Sequence, residues 1–310
     1  MDFQLNTEQK QIVSLLDELG RKEFEAKAAR WDENHEYPWE NIHRLRECDI
    51  LGMTIPKAYG GQGRPLIDAV LAIETAAKYC GVTSRAIVET NMGALGCVMA
   101  YGTDEQRKVV AHRVLKEGDK PAIGMTEPEA GTALTDLATT AVRKKDKYII
   151  NGTKHWITGG GVSVTNLIFA RFIEDGNDIG IGGILVDKGT PGFTFGRVER
   201  AMGLRGIPET ELIFKDCEVP IKNVVVKGDG SEGFKKLMNG YNGQRIGASA
   251  VALGIAQGAH DLAVDYMKKR KAFGRYISEF QGLQWEMAQS EIKLNAARLL
   301  IHRAACNARD

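Results

Sequence analysis

The sequence predicts three domains in the order α, β, α: an N-terminal all-α domain over residues 1–120, a central antiparallel β domain over 121–230, and a C-terminal helical bundle over 231–310. Two changes of hydrophobic period carry that reading. Apolar residues recur at helical spacing from Leu5 to about Lys116, give way after Pro121 to short β-rich runs, and return to helical spacing at Gly233. With 43% hydrophobic residues in 310, the chain has apolar material for more than one core.

Each element has its own signal. Ile12, Leu15, Leu16 and Leu19 form one face of a first helix, and Asn6 or Thr7 is placed to cap it. "EYPWEN" opens a new helix after Pro38, and "IPKAYGGQGRP" from Ile55 is too rich in Gly and Pro to be other than a loop. In the middle third, "TTAVRKKDKYIING", "NLIFARFI", "GIGGILVDK", "GFTFGRVE" and "TELIFKDCEVP" read as strands bounded by turn residues, and "GNDIGIGG" as turns between strands. From Gly233 the helical period runs through "GYNGQRIGASAVALGIAQGA" to about Phe273, and resumes from Gln281 to Ala308. The last residues, "HRAACNARD", carry no Gly or Pro stop, so the bundle is expected to be incomplete at its C-terminus.

Composition removes several function classes. Lys plus Arg total 41 against 40 for Asp plus Glu, so no global field draws in nucleic acid or an acidic membrane. Cys48, Cys80, Cys97, Cys217 and Cys306 are odd in number and show no CxxC pair, which points to reduced thiols in the cytoplasm. No apolar run approaches the ~20 residues of a membrane span, and "MDFQLNTEQK" is not a signal peptide. The 35 glycines form neither GxGxxG nor GxxxxGK[ST]; the six histidines have no metal-ligand spacing, so no metal is expected; and no GxSxG elbow offers a serine nucleophile.

What remains is "AIGMTEPEAGTALTD" from Ala122, "KHWITGGG" from Lys154 and "RKAFGRYISEFQ" from Arg270. Trp156 beside Thr158 and three glycines makes an aromatic wall with close backbone access, suited to a planar ring. Together these segments resemble the acyl-CoA dehydrogenase family of flavoproteins, over essentially the whole chain. The resemblance implies the acyl-CoA dehydrogenase fold, FAD, a CoA thioester substrate and a homo-oligomer, a tetramer or a dimer. It also implies that Ile123, Met125, Thr126, Gly131 and Thr132 contact FAD or the thioester arm, and that Trp156, Ile157 and Thr158 lie at the reactive flavin edge. Arg270, Phe273 and Gln281 would reach the cofactor of a neighbouring subunit, where a pyrophosphate needs cationic and amide donors. The chain departs from the family pattern in three places: Thr132 and Ala133 replace the usual Ser and Asp after "AG", and Gly159 replaces the usual Asn after "WIT".

Ordinary members remove an α-proton with a Glu placed either immediately before the Arg of "GYNGQRIG" or further downstream in the C-terminal helices. Here the first place holds Gln244, and an amide accepts no proton near neutral pH. The second place would lie beyond Asp310, so Gln244 reads either as a vacant base position or as a neutral residue with its Glu elsewhere. Tyr241, Asn242, Gln244 and Arg245 are expected at the substrate, Arg245 gripping the CoA portion or supporting the binding helix.

The resemblance places Arg85, in "GVTSRAIVETNMGALG", near the far end of the acyl pocket. Two readings are open: an anion clamp for an acidic acyl end, or an ordinary helix pair with Glu89 at i+4. Two branches of the family carry an Arg at the matching position, the glutaryl-CoA dehydrogenases and the 3-sulfinopropionyl-CoA desulfinases. "YPWEN", "WITGGGV", "LIFARF", "RGIPET", "YNGQRIGA" and "FQGLQW" look like the second. The implied activity is release of sulfite from 3-sulfinopropionyl-CoA to give propionyl-CoA, without net oxidation. The rivals are α,β-dehydrogenation of a short-chain or dicarboxylic acyl-CoA, coupled to an electron-transfer flavoprotein, and an inactive structural subunit.

Overall fold

A computed structural model describes residues 4–308. Seven helices come first: α1 (Thr7–Leu19), α2 (Glu25–Glu33), α3 (Trp39–Glu47), α4 (Leu66–Ala77), α5 (Gly81–Asn91), α6 (Ala94–Tyr101) and α7 (Asp104–His112). Asn6 caps α1 in a reciprocal box with Gln9, and Thr103 caps α7 in the same way with Gln106. Pro38 and Pro65 immediately precede α3 and α4, as expected for a residue that cannot donate into a helix. The segment after Ile55 is the loop that its glycines and prolines predict, with a single short turn at Lys57–Tyr59.

Eight strands follow: β1 (Ala122–Gly124), β2 (Thr140–Lys144), β3 (Lys147–Thr158), β4 (Thr165–Glu174), β5 (Asn177–Asp187), β6 (Phe193–Val198), β7 (Glu209–Pro220) and β8 (Val224–Val226). They form one sheet in the order β6-β7-β3-β2-β4-β5-β8, with β1 also paired to β4. The sheet departs from the purely antiparallel expectation at two pairings, β1 with β4 and β2 with β4, which are parallel. The reason is topological. β3 is already flanked by β2 and β7, so β4 joins beyond β2 and, running back against β3, ends up parallel to β2. A second correction concerns "GNDIGIGG": most of it lies inside β5. A Cβ at Gly182 would collide with the backbone of Val226 and Gly228, so the glycines there reflect close packing rather than turns.

The long helix α8 (Glu232–Lys269), the two-residue strands β9 (Lys271–Ala272) and β10 (Arg275–Tyr276), and α9 (Gln281–Asn307) complete the described residues. α8 does not build a separate core. Leu237, Ala250 and Val251 pack into the same buried cluster as Ala69, Ile73, Val88 and Val98 of the N-terminal helices. The sheet has its own core of Tyr148, Phe172, Ile184, Phe214 and neighbours. At ~1.5–3 kcal/mol per buried large aliphatic or aromatic side chain, the two clusters are the main source of stability, and the site sits where they meet.

Candidate active site

A narrow cavity of about 80 Å³ opens between α5, α6, β1, the end of β3 and α8. Its wall contains Arg85, Ile123, Met125, Thr126, Trp156, Ile157, Thr158, Tyr241 and Gln244, nine of the residues singled out from sequence. The remaining wall includes Glu89, Ala94, Pro121 and Ala122. A wider groove of about 800 Å³ runs past Arg171, Glu174, Asp178 and Lys227, but those charges are paired among themselves.

Local geometry explains how each group arrives. The β3–β7 register breaks between Lys154/Leu212 and Ile157/Thr210, a bulge that holds His155 and Trp156. Trp156 has φ 56°, rare for a bulky side chain, and its indole is 48% exposed. The bulge thus turns outward an aromatic ring that a regular strand would have kept in the pleat. The "MTEPEAG" loop is fixed from beneath by the buried Lys154, whose Nζ donates to Glu127 Oε1 at 2.7 Å and to the Met125 carbonyl at 3.1 Å. Burial drives the Lys154 ammonium down to about 8, and the Glu127 carboxylate opposes that fall.

On α8, Tyr241 and Gln244 stand three residues apart and face the cavity together. Gln244 is buried, and its Oε1 accepts no hydrogen bond. Asn242 and Arg245, expected at the substrate, fall on the adjoining exposed face, where the Arg245 Nη1 donates to Asn242 Oδ1 at 2.7 Å and its guanidinium lies 4.9 Å from the centre of the Tyr241 ring. Helical rotation separates them from the cavity wall. Gly131 and Thr132 lie exposed on the turn beyond Met125, and a Cβ on Gly131 would meet nothing within 4 Å. Arg270, Phe273 and Gln281 are exposed at the far end of α8, with Phe273 95% exposed.

Of the two readings of Arg85, the structure shows the helix pair. Its Nε lies 3.5 Å from Glu89 Oε1, so the i+4 pair exists, but Glu89 is shared: its Oε2 is 3.5 Å from the Nζ of Lys120. Neither Glu89 oxygen accepts a hydrogen bond. Arg85, on the cavity wall, thus shares its carboxylate with a second cation. Lys120 is 3% exposed, lies 4.3 Å from the centre of the Tyr37 ring, and has no hydrogen-bond partner. Burial lowers its basicity against the pull of Glu89. Its ammonium fills the space beside Gly159, at φ +79°, where a Cβ would sit 2.5 Å from Nζ. Gly159 thus leaves room for the lysine in this position.

Glu209 completes the group. It is the cross-strand partner of Thr158, whose Oγ1 donates to its two carboxylate oxygens at 2.9 and 3.0 Å. Burial raises the Glu209 carboxyl to about 7; Thr158, Arg85 and Lys120 oppose the rise, and Glu89 adds to it. Lys120, Glu209 and Tyr37 were not singled out from sequence, and no spacing links them. Glu209 could have been found only by pairing β3 with β7 across a bulge. Among the described residues no His, Cys, Asp or Glu cluster could hold a metal ion.

The residues fit the FAD that the resemblance implies. A half-exposed indole at an unusual backbone angle, an unhindered glycine turn and an orphaned buried amide are features that a planar heterocycle with polar edges would satisfy.

The chain is similar to known proteins along its length. Family models described as acyl-CoA dehydrogenase N-terminal, middle and C-terminal domains match residues 6–117, 122–217 and 231–310. The chain is 51% identical to a 3-sulfinopropanoyl-CoA desulfinase from Cupriavidus necator, over 98% of this chain and 78% of that protein. It is 48% identical to the protein of the same name from Paraburkholderia xenovorans, over 98% and 79%. It superposes on butyryl-CoA dehydrogenase from Megasphaera elsdenii with a TM-score of 0.93 at 33% identity, over 99% of this chain and 80% of that one. With three contiguous family models, a relative at half identity and a fold shared almost end to end, the chain belongs to the acyl-CoA dehydrogenase family.

Proposed function

We propose that the protein binds FAD and a short CoA thioester with an anionic acyl end, and converts 3-sulfinopropionyl-CoA and water to propionyl-CoA and sulfite without net oxidation. The observation that carries the reading is the presence in one cavity of an amide, Gln244, and a guanidinium, Arg85, whose partner Glu89 is shared with Lys120. The amide cannot take an α-proton, and the guanidinium can hold a sulfinate through paired N–H donors while water attacks sulfur. The oxygen of water ends on sulfur and one of its protons on the carbon that sulfur leaves, so no hydride is lost. The names of the relatives at 48–51% identity support the same reaction.

Ile123, Met125, Thr126, Trp156, Ile157 and Thr158 would hold the flavin ring, with Gly131 and Thr132 toward the thioester arm. When bound, FAD supplies a hydride-accepting ring in ordinary members, and here a structural or electrostatic one. Arg245 and Asn242, exposed beside the cavity, would take the CoA portion. Arg270, Phe273 and Gln281 would serve the site of a neighbouring subunit in a cytoplasmic homotetramer; exposed Leu262, Tyr266, Trp285, Ile292 and Leu300 on α8 and α9 support such an assembly. The deciding experiment supplies the synthetic sulfinate thioester to the flavoprotein. Sulfite and propionyl-CoA are expected in equal amounts with flavin absorbance unchanged. Flavin bleaching by butyryl- or glutaryl-CoA without sulfite release would replace this reading by dehydrogenation.

A further inference from the structure

We propose that Glu209 is a positioning residue that sets whether the Thr158 hydroxyl, on the cavity wall, acts toward bound substrate or flavin as a hydrogen-bond donor or only as an acceptor. The inference rests on the reading above only for what occupies the cavity.

The geometry is direct. A threonine hydroxyl has one proton and two lone pairs. Thr158 Oγ1 lies 2.9 and 3.0 Å from the two Glu209 oxygens, and Thr158 itself lines the cavity. When Glu209 is ionised it can only accept, so it takes the hydroxyl's single proton and Thr158 offers the cavity lone pairs alone. When Glu209 is protonated it donates to Thr158 Oγ1, and the hydroxyl proton is free to point into the cavity. One proton, held outside the cavity, reverses the character of an atom inside it.

The surroundings favour a carboxyl that changes state near neutrality. It is removed from water, and Glu89 repels its charge; Arg85 on the same helix and Lys120 before β1 attract it, and the balance sets it at about 7. On the β6 side, Glu199 is engaged with His155 and Arg197, and only its backbone N–H meets Glu209, at the carbonyl. The charges point the same way. Arg85 and Lys120 face Glu89, and Asp119 also acts on Lys120, so ionising Glu209 adds a further negative charge to the group and opposes an anionic acyl end. Binding of the anion should therefore draw a proton onto Glu209.

The test begins without flavin or substrate. Infrared difference spectra of the flavin-free protein between pH 6 and pH 8 should show a carboxylic-acid C=O band at the lower pH. That band should be absent in E209Q and displaced in T158V, which keeps the shape of Thr158 but not its hydroxyl. A second readout is proton uptake when the flavoprotein binds a non-hydrolysable anionic acyl-CoA at pH 7, expected to be lost in E209Q. A carboxyl that is fully ionised at pH 6, or a C=O band untouched by T158V, overturns the proposal. Absence of sulfite release from the wild type would instead refute the preceding reading and leave the infrared result to decide this one.

Discussion

At the scale of single residues, the site is defined by what two side chains cannot do. Gln244 cannot accept a proton, and Arg85 cannot lose its charge. Gln244→Glu puts a carboxylate in place of the amide on α8. The variant is expected to bleach flavin absorbance when mixed with a short acyl-CoA and the wild type to leave it unchanged, as followed by stopped-flow spectrophotometry. Arg85→Lys keeps the charge but loses the planar fork. Sulfite release should fall by at least roughly 30-fold in kcat/KM, about 2 kcal/mol, with flavin content unchanged. Both residues were legible in sequence because they sit inside long motifs whose neighbours place them. Lys120 and Glu209 were not, because their roles depend on packing between segments 31 and 51 residues from their partners, Glu89 and Thr158. Nothing local in "DKP" or "IPET" announces a buried ammonium or a carboxyl held near neutrality.

Among the elements, the bulge in β3 and the docking of α9 show how secondary structure is bent to serve position. The strand itself is plain in "KYIINGTKHWIT", but the extra residue that turns Trp156 outward is not, since a bulge leaves no change in composition. The same holds for the parallel pairings of β4, which follow from the order of strands rather than their sequence. α9 is held on α4 by Glu74, which accepts from Arg298 Nε at 2.7 Å and lies 3.0 Å from His302 Nε2. Burial pushes the Glu74 carboxyl up, yet the hydrogen bonds from His302 and Arg298 outweigh it and leave it below its ordinary 4.5. A carboxyl depressed in the folded state contributes stability above its unfolded value and loses that contribution as pH falls through the folded one. Glu74→Gln should therefore cost about 1–3 kcal/mol at pH 7, and the gap from wild type should close as pH falls below about 4.5, measured by urea unfolding at each pH.

For the whole molecule, the helical and sheet cores were legible from the changes of period, but the sharing of one core by α8 and the N-terminal helices was not. The periodicity of α8 says that it has a buried face and is silent about which neighbours bury it. Its 38 residues run from the cavity to the β9–β10 hairpin without interruption. Gln244 and Arg270 are 26 positions apart, roughly 39 Å along a straight helix at 1.5 Å per residue, so the hairpin cannot close over the cavity of its own chain. If Arg270, Phe273 and Gln281 grip a flavin, that flavin belongs to another copy. The consequence is one of mass action. A cofactor held by two chains is lost when they part, so flavin occupancy should fall on dilution even in buffer saturated against simple one-chain binding. Fluorescence of released flavin, followed across a dilution series together with sedimentation velocity, should give the two transitions the same midpoint. The length of one helix would then make assembly itself the step that charges the enzyme.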